Sequence, residues 1–128
     1  MIAAKFSRAV LPSRIGKTYE ANAERWLVRN GLETIERNYR CRVGEIDLIM
    51  CDAEILVFVE VRYRNNNSFG GPFESITTRK QKRIILTANH FLSSHPRFHN
   101  YNCRFDAIGI TSVDGKEKTD WIRNAFST

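Results

Sequence analysis

The chain alternates between segments with a helical apolar period, segments that are apolar on one or both faces of a strand, and short polar breaks. In "KTYEANAERWLVRNG", Tyr19, Ala23 and Trp26 recur at helical spacing, with Ile15 upstream and Leu27 widening the stripe. This predicts an amphipathic helix, with Gly31 placed to stop it. "LETIERNYR" then predicts a strand, and "GEIDLIM" and "ILVFVEVRY", separated by the polar turn "CDAE", predict a hairpin. "RNNNSFGGPFES" has no period and is rich in Asn and Gly, which predicts an exposed loop. "TTRKQKRIILTANHFLSSHP" places Ile84, Ile85, Ala88, Phe91 and Leu92 on one helical stripe and closes at Pro96. "CRFDAIGI" predicts another strand and "DGK" a turn, while the tail "DWIRNAF" fits helix or strand.

The predicted order is helix, three strands, helix, strand. That is a single-domain α/β fold with a mixed β-sheet, because the hairpin is antiparallel and a helical crossover returns its strand parallel. At 128 residues the chain has room for one domain with a real core. Residues 1–14, "MIAAKFSRAVLPSR", contain no acid and lack the continuous apolar core of a secretory signal. They read as a short basic arm ahead of a domain over 15–128.

Composition changes this picture little. With 42% hydrophobic and 27% charged residues the chain reads as globular, and no apolar run is long enough to span a bilayer. Membrane partners are therefore not expected. Cys41, Cys51 and Cys103 are scattered without a C-x-x-C pair, which suits a reducing cytoplasm. The net charge of +6 inclines the reading towards a polyanionic partner such as nucleic acid, without naming a function.

The chemistry starts with two acids in mid-strand. If the hairpin turn centres on Ala53 and Glu54, Asp47 lies opposite Glu60 and Glu45 opposite Arg62. Facing carboxylates about 5 Å apart repel by roughly 3 kcal/mol at an effective dielectric near 20. Val57, Val59 and Val61 line one face of their strand, while Leu56 and Phe58 share the other with Glu60. A strand apolar on both faces is expected to be covered on both sides, which argues against a casual surface acid at Glu60. A shared proton, the cations Arg62 and Arg64, or a bound Mg2+ or Mn2+ ion could offset the repulsion. Acids on the wet face of an antiparallel sheet are the plain alternative.

"TRKQKR" places Arg79, Lys80, Lys82 and Arg83 at the head of the second helix, where cations beside free amide donors suit phosphate. Arg14, Lys17, Arg40, Arg42 and Arg64 could extend the patch, although charge runs are also ordinary solvated faces. No segment reads as a major-groove recognition helix, so any nucleic acid is expected to be bound by backbone and shape. His95, His99 and Cys103 lie close in sequence but make an incomplete zinc set.

The succession "YEANAERWLVRNG", "RNYRCRVGEIDLIM", "LVFVEVRYR", "FGGPFESITTRKQKRI" and "RFDAIGI" resembles the YraN-like family of small bacterial proteins. That family is in turn similar to Holliday-junction resolvases of the restriction-endonuclease-like superfamily. The resemblance implies a restriction-endonuclease-like core and a metal-dependent endonuclease acting on DNA, including structured or branched DNA. It implies that Asp47 and Glu60 ligate Mg2+ or Mn2+, with the Val61 carbonyl as a further ligand. It also implies that Glu20 assists from the first helix, that Gln81 supports the site, and that the protein is a homodimer. Arg62 departs from the lysine usual in the (D/E)-x-K motif. Arginine cannot act as a general base, but it can neutralise charge on a phosphate. A non-catalytic nucleic-acid-binding module that keeps the fold is the alternative, with Arg62 and Arg64 neutralising the acids. A protein-interaction scaffold is a third reading.

Overall fold

The first helix is set by its apolar stripe and stopped by a glycine. A computed structural model of the chain describes residues 12–65 and 71–128, with side chains from Thr18 onwards. In it α1 spans Pro12–Arg29. The helix takes in the end of the expected basic arm; residues 1–11 and the side chain of Ile15 lie outside the described residues. Gly31 has a φ of +101°, its N–H donates to the Val28 carbonyl, and the Leu32 N–H reaches back to the Leu27 carbonyl. That pair of bonds closes the helix in the left-handed glycine manner.

Two hairpins follow. β1 (Glu33–Cys41) pairs antiparallel with β2 (Gly44–Asp52), which pairs antiparallel with β3 (Ile55–Asn65) across the turn at Ala53 and Glu54. Leu48 faces Val59 and Asp52 faces Ile55, which is the register predicted from the turn. The chain then makes a short 3-10 turn at Pro72–Ser75 before α2 (Thr78–Ser94), whose N-cap Thr77 accepts from the Lys80 N–H. Arg64 and Asn65 of the expected loop belong to β3, and Pro72 is buried. β4 (Asn102–Val113) lies parallel to β3, and β5 (Lys116–Phe126) returns antiparallel on its outer side. The tail that fitted helix or strand is therefore an edge strand.

The five strands lie in chain order in one mixed sheet with a helix on each face. Ala23 and Leu27 of α1 pack on Leu48, Met50, Val57, Val59 and Val61. Ile84, Ala88 and Phe91 of α2 pack on Ile46, Ile49, Leu56 and Phe58 on the opposite face. Ile85 and Leu92, also on the predicted stripe, are partly buried at its margin. Among the described residues no helix is long and apolar enough to cross a membrane.

One irregularity places a candidate site residue. Arg37 faces Leu48 and Tyr39 faces Ile46, with Asn38 between them at a φ of +53°. Asparagine tolerates this left-handed conformation better than most residues. Regular alternation would put residues 37 and 39 on one face. Instead, Arg37 reaches Glu24 of α1, while Tyr39 joins the cluster under α2. Across the ladder, Ile46 and Leu48 likewise belong to opposite clusters. Asp47 sits at this change of face.

Candidate metal and phosphate site

The β2–β3 ladder ends at Leu48 and Val59, and the next outward N–H is taken by a side chain. Val61 N–H donates to Asp47 Oδ2 at 2.8 Å, so this carboxylate stands where a strand carbonyl would otherwise accept. One Asp47 oxygen is thereby engaged. Glu60 comes from the α2-facing side of β3, as its alternation with Val59 and Val61 requires, and is only 3% exposed.

Both acids lie in an open cavity of about 400 Å³ between the start of β2, β3 and the head of α2. Arg40, Arg62, Lys80 and Arg83 line the same cavity. Gly44 forms its tight corner: a Cβ there would come within 2.7 Å of Thr87 Oγ1 and 3.0 Å of Arg83 Cγ. Glycine thus lets the β1–β2 turn approach α2 and holds the basic helix head close to the acids.

The electrostatics follow from this crowding. Burial, then the neighbouring charge of Asp47, raises the Glu60 pKa from 4.5 to about 8, against the opposing pull of Arg62 and Lys80. Burial also raises Asp47, with the Val61 N–H and Arg62 working the other way. In the metal-free protein near neutral pH, Glu60 therefore holds a proton for much of the time. Two of the offsets considered from sequence operate together: a retained proton and a cation.

The cation is Arg62. Its Nη2–H donates to Glu60 Oε2 at 2.6 Å and its Nη1–H to the Val61 carbonyl at 3.2 Å. The expected pairing of Arg62 with Glu45 is not the one found. Glu45 instead accepts from Arg40 at 3.1 Å, its partner in the β1–β2 register.

Asp47, Glu60, Arg62, Lys80 and Arg83 are thus brought to one cavity, with the Val61 carbonyl beside them. Glu20 lines a separate hollow with Glu24, Arg37 and Asn38. Gln81 donates from its side-chain amide to the Ile76 carbonyl at 3.1 Å and borders another hollow beside Phe73 and Phe126. Arg64 Nε–H points to the Gly71 carbonyl at 3.4 Å, and Arg79 and Lys82 are exposed on α2. Sequence reasoning missed Gly44 and Asn38, which shape the site without contributing charge. A glycine opening the strand that carries Asp47 was the available signal for the first; nothing in the sequence marked the second.

Asp106, the other fully buried acid of the sheet, has a structural explanation. It accepts from Arg104 Nε–H at 2.9 Å, Trp121 Nε1–H at 2.9 Å and the Asn124 N–H at 2.9 Å, which locks β5 onto β4. Arg104 thus pairs with Asp106 and also reaches Asp52 at 3.1 Å.

Among the described residues no cluster of three or more His, Cys, Asp or Glu side chains surrounds one point. The oxygen donors near the cavity are two carboxylates and a main-chain carbonyl. All are hard oxygen ligands, and they fit an ion such as Mg2+ or Mn2+ that keeps several waters. They do not suit zinc, which favours nitrogen and sulfur.

Fold and site together define a small α/β protein whose mixed sheet presents paired acids beneath a basic helix head. Residues 19–110 match the family described as "Uncharacterised protein family UPF0102", and the chain belongs to that family, the YraN-like one of the sequence resemblance. Among similar proteins is a UPF0102 protein of Alcanivorax borkumensis, 47% identical over 113 residues, covering 87% of this chain and 90% of the relative. A UPF0102 protein of Nitrosococcus oceani is 49% identical over 111 residues, covering 87% and 90% respectively. One of Aeromonas hydrophila is 49% identical over 116 residues, covering 90% and 85%.

Proposed function

We propose that this protein is a divalent-metal-dependent endonuclease acting on DNA. The observation that carries the reading is the convergence of Asp47 and the buried Glu60 in a cavity that also contains Lys80 and Arg83. A purely structural acid would be expected to be satisfied in the manner of Asp106. Glu60 instead keeps a raised pKa beside a second carboxylate, in a cavity open to solvent. Strongly perturbed acids in a cleft are a recognised mark of a functional site.

Asp47, Glu60 and the Val61 carbonyl hold the ion on this reading. Bound there, Mg2+ or Mn2+ supplies Lewis-acid polarisation of a phosphoryl oxygen and a more acidic water. The Val61 N–H fixes the orientation of Asp47, and Glu60 would have to be deprotonated to serve as a ligand. Lys80 and Arg83 hold a phosphate at the helix head, where charge and free amide donors act together. Arg62 neutralises negative charge that builds on the attacked phosphate, and cannot accept a proton there. Arg64, Arg79 and Lys82 extend the basic surface along the backbone of the nucleic acid. DNA is bound by its backbone and shape, and structured or branched DNA is the substrate class that the resolvase likeness suggests.

The test is cleavage of linear duplex, single strand, flap and four-way junction with Mg2+ or Mn2+. Cutting by the wild type that disappears in both Asp47→Asn and Glu60→Gln supports the reading. Intact salt-sensitive binding with no cutting of any substrate favours the non-catalytic binding module.

A further inference from the structure

The guanidinium of Arg62 rests on two of the oxygens a metal would use. Nη2–H donates to Glu60 Oε2 at 2.6 Å, and Nη1–H to the Val61 carbonyl at 3.2 Å. The third guanidinium nitrogen, Nε, is buried with its N–H lacking an acceptor. Arg62 therefore covers Glu60 and Val61 while one of its own donors goes unmet. A buried unpaired donor is costly, so this seat is not the best one available to a guanidinium.

A phosphodiester offers a better seat. Its oxygens match the planar fork of arginine in bidentate fashion and give charge-assisted bonds in place of those lost at Glu60. Lys80 and Arg83 line the same cavity and would bring such a phosphate within the reach of Arg62. A guanidinium and a divalent cation seated at the same oxygens repel each other, so moving one favours the other.

We propose that Arg62 gates the metal site: it covers the Glu60 and Val61 oxygens until a DNA phosphate draws the guanidinium away, so that metal and DNA bind cooperatively. The proposal rests on the metal-site reading above and adds a coupling to it. It also gives the arginine a role distinct from that of a lysine, whose compact ammonium lacks the planar fork that pairs with a phosphate in bidentate fashion. By linkage, the metal must tighten DNA binding by the factor by which DNA tightens metal binding.

The experiment has two readouts, neither of them catalytic. Free Mn2+ is followed by electron paramagnetic resonance during titration of wild type, Arg62→Ala, Arg62→Gln, Lys80→Ala and Asp47→Asn without DNA. Removing the gate is expected to tighten Mn2+ binding about tenfold, within the usual range of such couplings. Lys80→Ala removes the same charge without uncovering a ligand and should change affinity less. The glutamine variant serves if the alanine variant does not fold. Binding of a labelled duplex is then measured by anisotropy with and without Ca2+. The wild type should bind the duplex more tightly with Ca2+, and Arg62→Gln should lose that dependence. Equal Mn2+ affinity in wild type and Arg62 variants, with binding abolished by Asp47→Asn, would overturn the gate while leaving the metal site standing. Absence of Mn2+ binding in every protein would overturn the metal-site reading itself.

Discussion

Glu60→Gln should stabilise the metal-free protein, and the gain should grow with pH. Glu60 is 3% exposed, faces a second acid, and has a pKa raised from 4.5 to about 8. At low pH the group is neutral in both folded and unfolded chains and contributes no pH dependence. As the pH rises past 4.5, the unfolded chain releases this proton while the folded chain retains it, so stability falls until ionisation near 8. At about 1.36 kcal/mol per unit, that span sets an upper bound of about 5 kcal/mol. Asp47 shares in the titration, and Arg62 loses a charged partner in the variant. The expected gain is therefore about 2–3 kcal/mol around pH 9, shrinking to about zero near pH 5. Urea unfolding with chelator present, followed by the fluorescence of Trp26 and Trp121, measures it. A variant no more stable than wild type around pH 9, or a difference independent of pH, would refute the reasoning.

Further consequences concern packing and charge. Gly44→Ala places a Cβ 2.7 Å from Thr87 Oγ1 and should cost about 1–3 kcal/mol by overpacking, seen as a lower urea midpoint. Asp106→Ala should cost about 3–5 kcal/mol, because it strips the partly buried Arg104 of one anion and leaves the Trp121 and Asn124 donors unmet. Glu24 is pushed up by burial, but donors from Arg37 and Thr34 outweigh this and hold its pKa below the ordinary 4.5. Its contribution is present above that value and is lost as pH falls through the depressed one, so Glu24→Gln should be destabilising near neutrality by about 0.5–1 kcal/mol and neutral in strong acid. Lys80→Glu with Arg83→Glu should weaken duplex binding at low salt and flatten its salt dependence, as measured by anisotropy.

The sequence was most informative where apolar periodicity and turn length acted together. The two-residue turn at Ala53 and Glu54 placed Leu48 opposite Val59, and hence Asp47 at the position opposite Glu60. Valines alternating with Phe58 and Glu60 revealed which face of β3 holds the acid. The tail was harder, because seven residues with one Trp and one Phe fit either period. Its strand form depends on tertiary partners, chiefly the bond from Trp121 to Asp106. Glu45 was misassigned because only the β2–β3 register was considered, whereas its other neighbour, Arg40 on β1, supplied the partner. The change of face at Asn38 was not legible, since asparagine occurs in left-handed and extended backbone alike. The seating of Arg62 over Glu60 and Val61 also needed coordinates, because a long side chain chooses among several acids within its reach.

The most direct test of the central claim is the anomalous scattering of a crystal grown with phosphate or a DNA duplex and soaked in Mn2+. The account predicts one strong peak at the head of α2, within about 2.0–2.6 Å of oxygens from Asp47, Glu60 and the Val61 carbonyl. Arg62 should be displaced from Glu60 in that crystal. No peak at millimolar Mn2+ with phosphate or DNA present, and Arg62 still seated on Glu60, would contradict it.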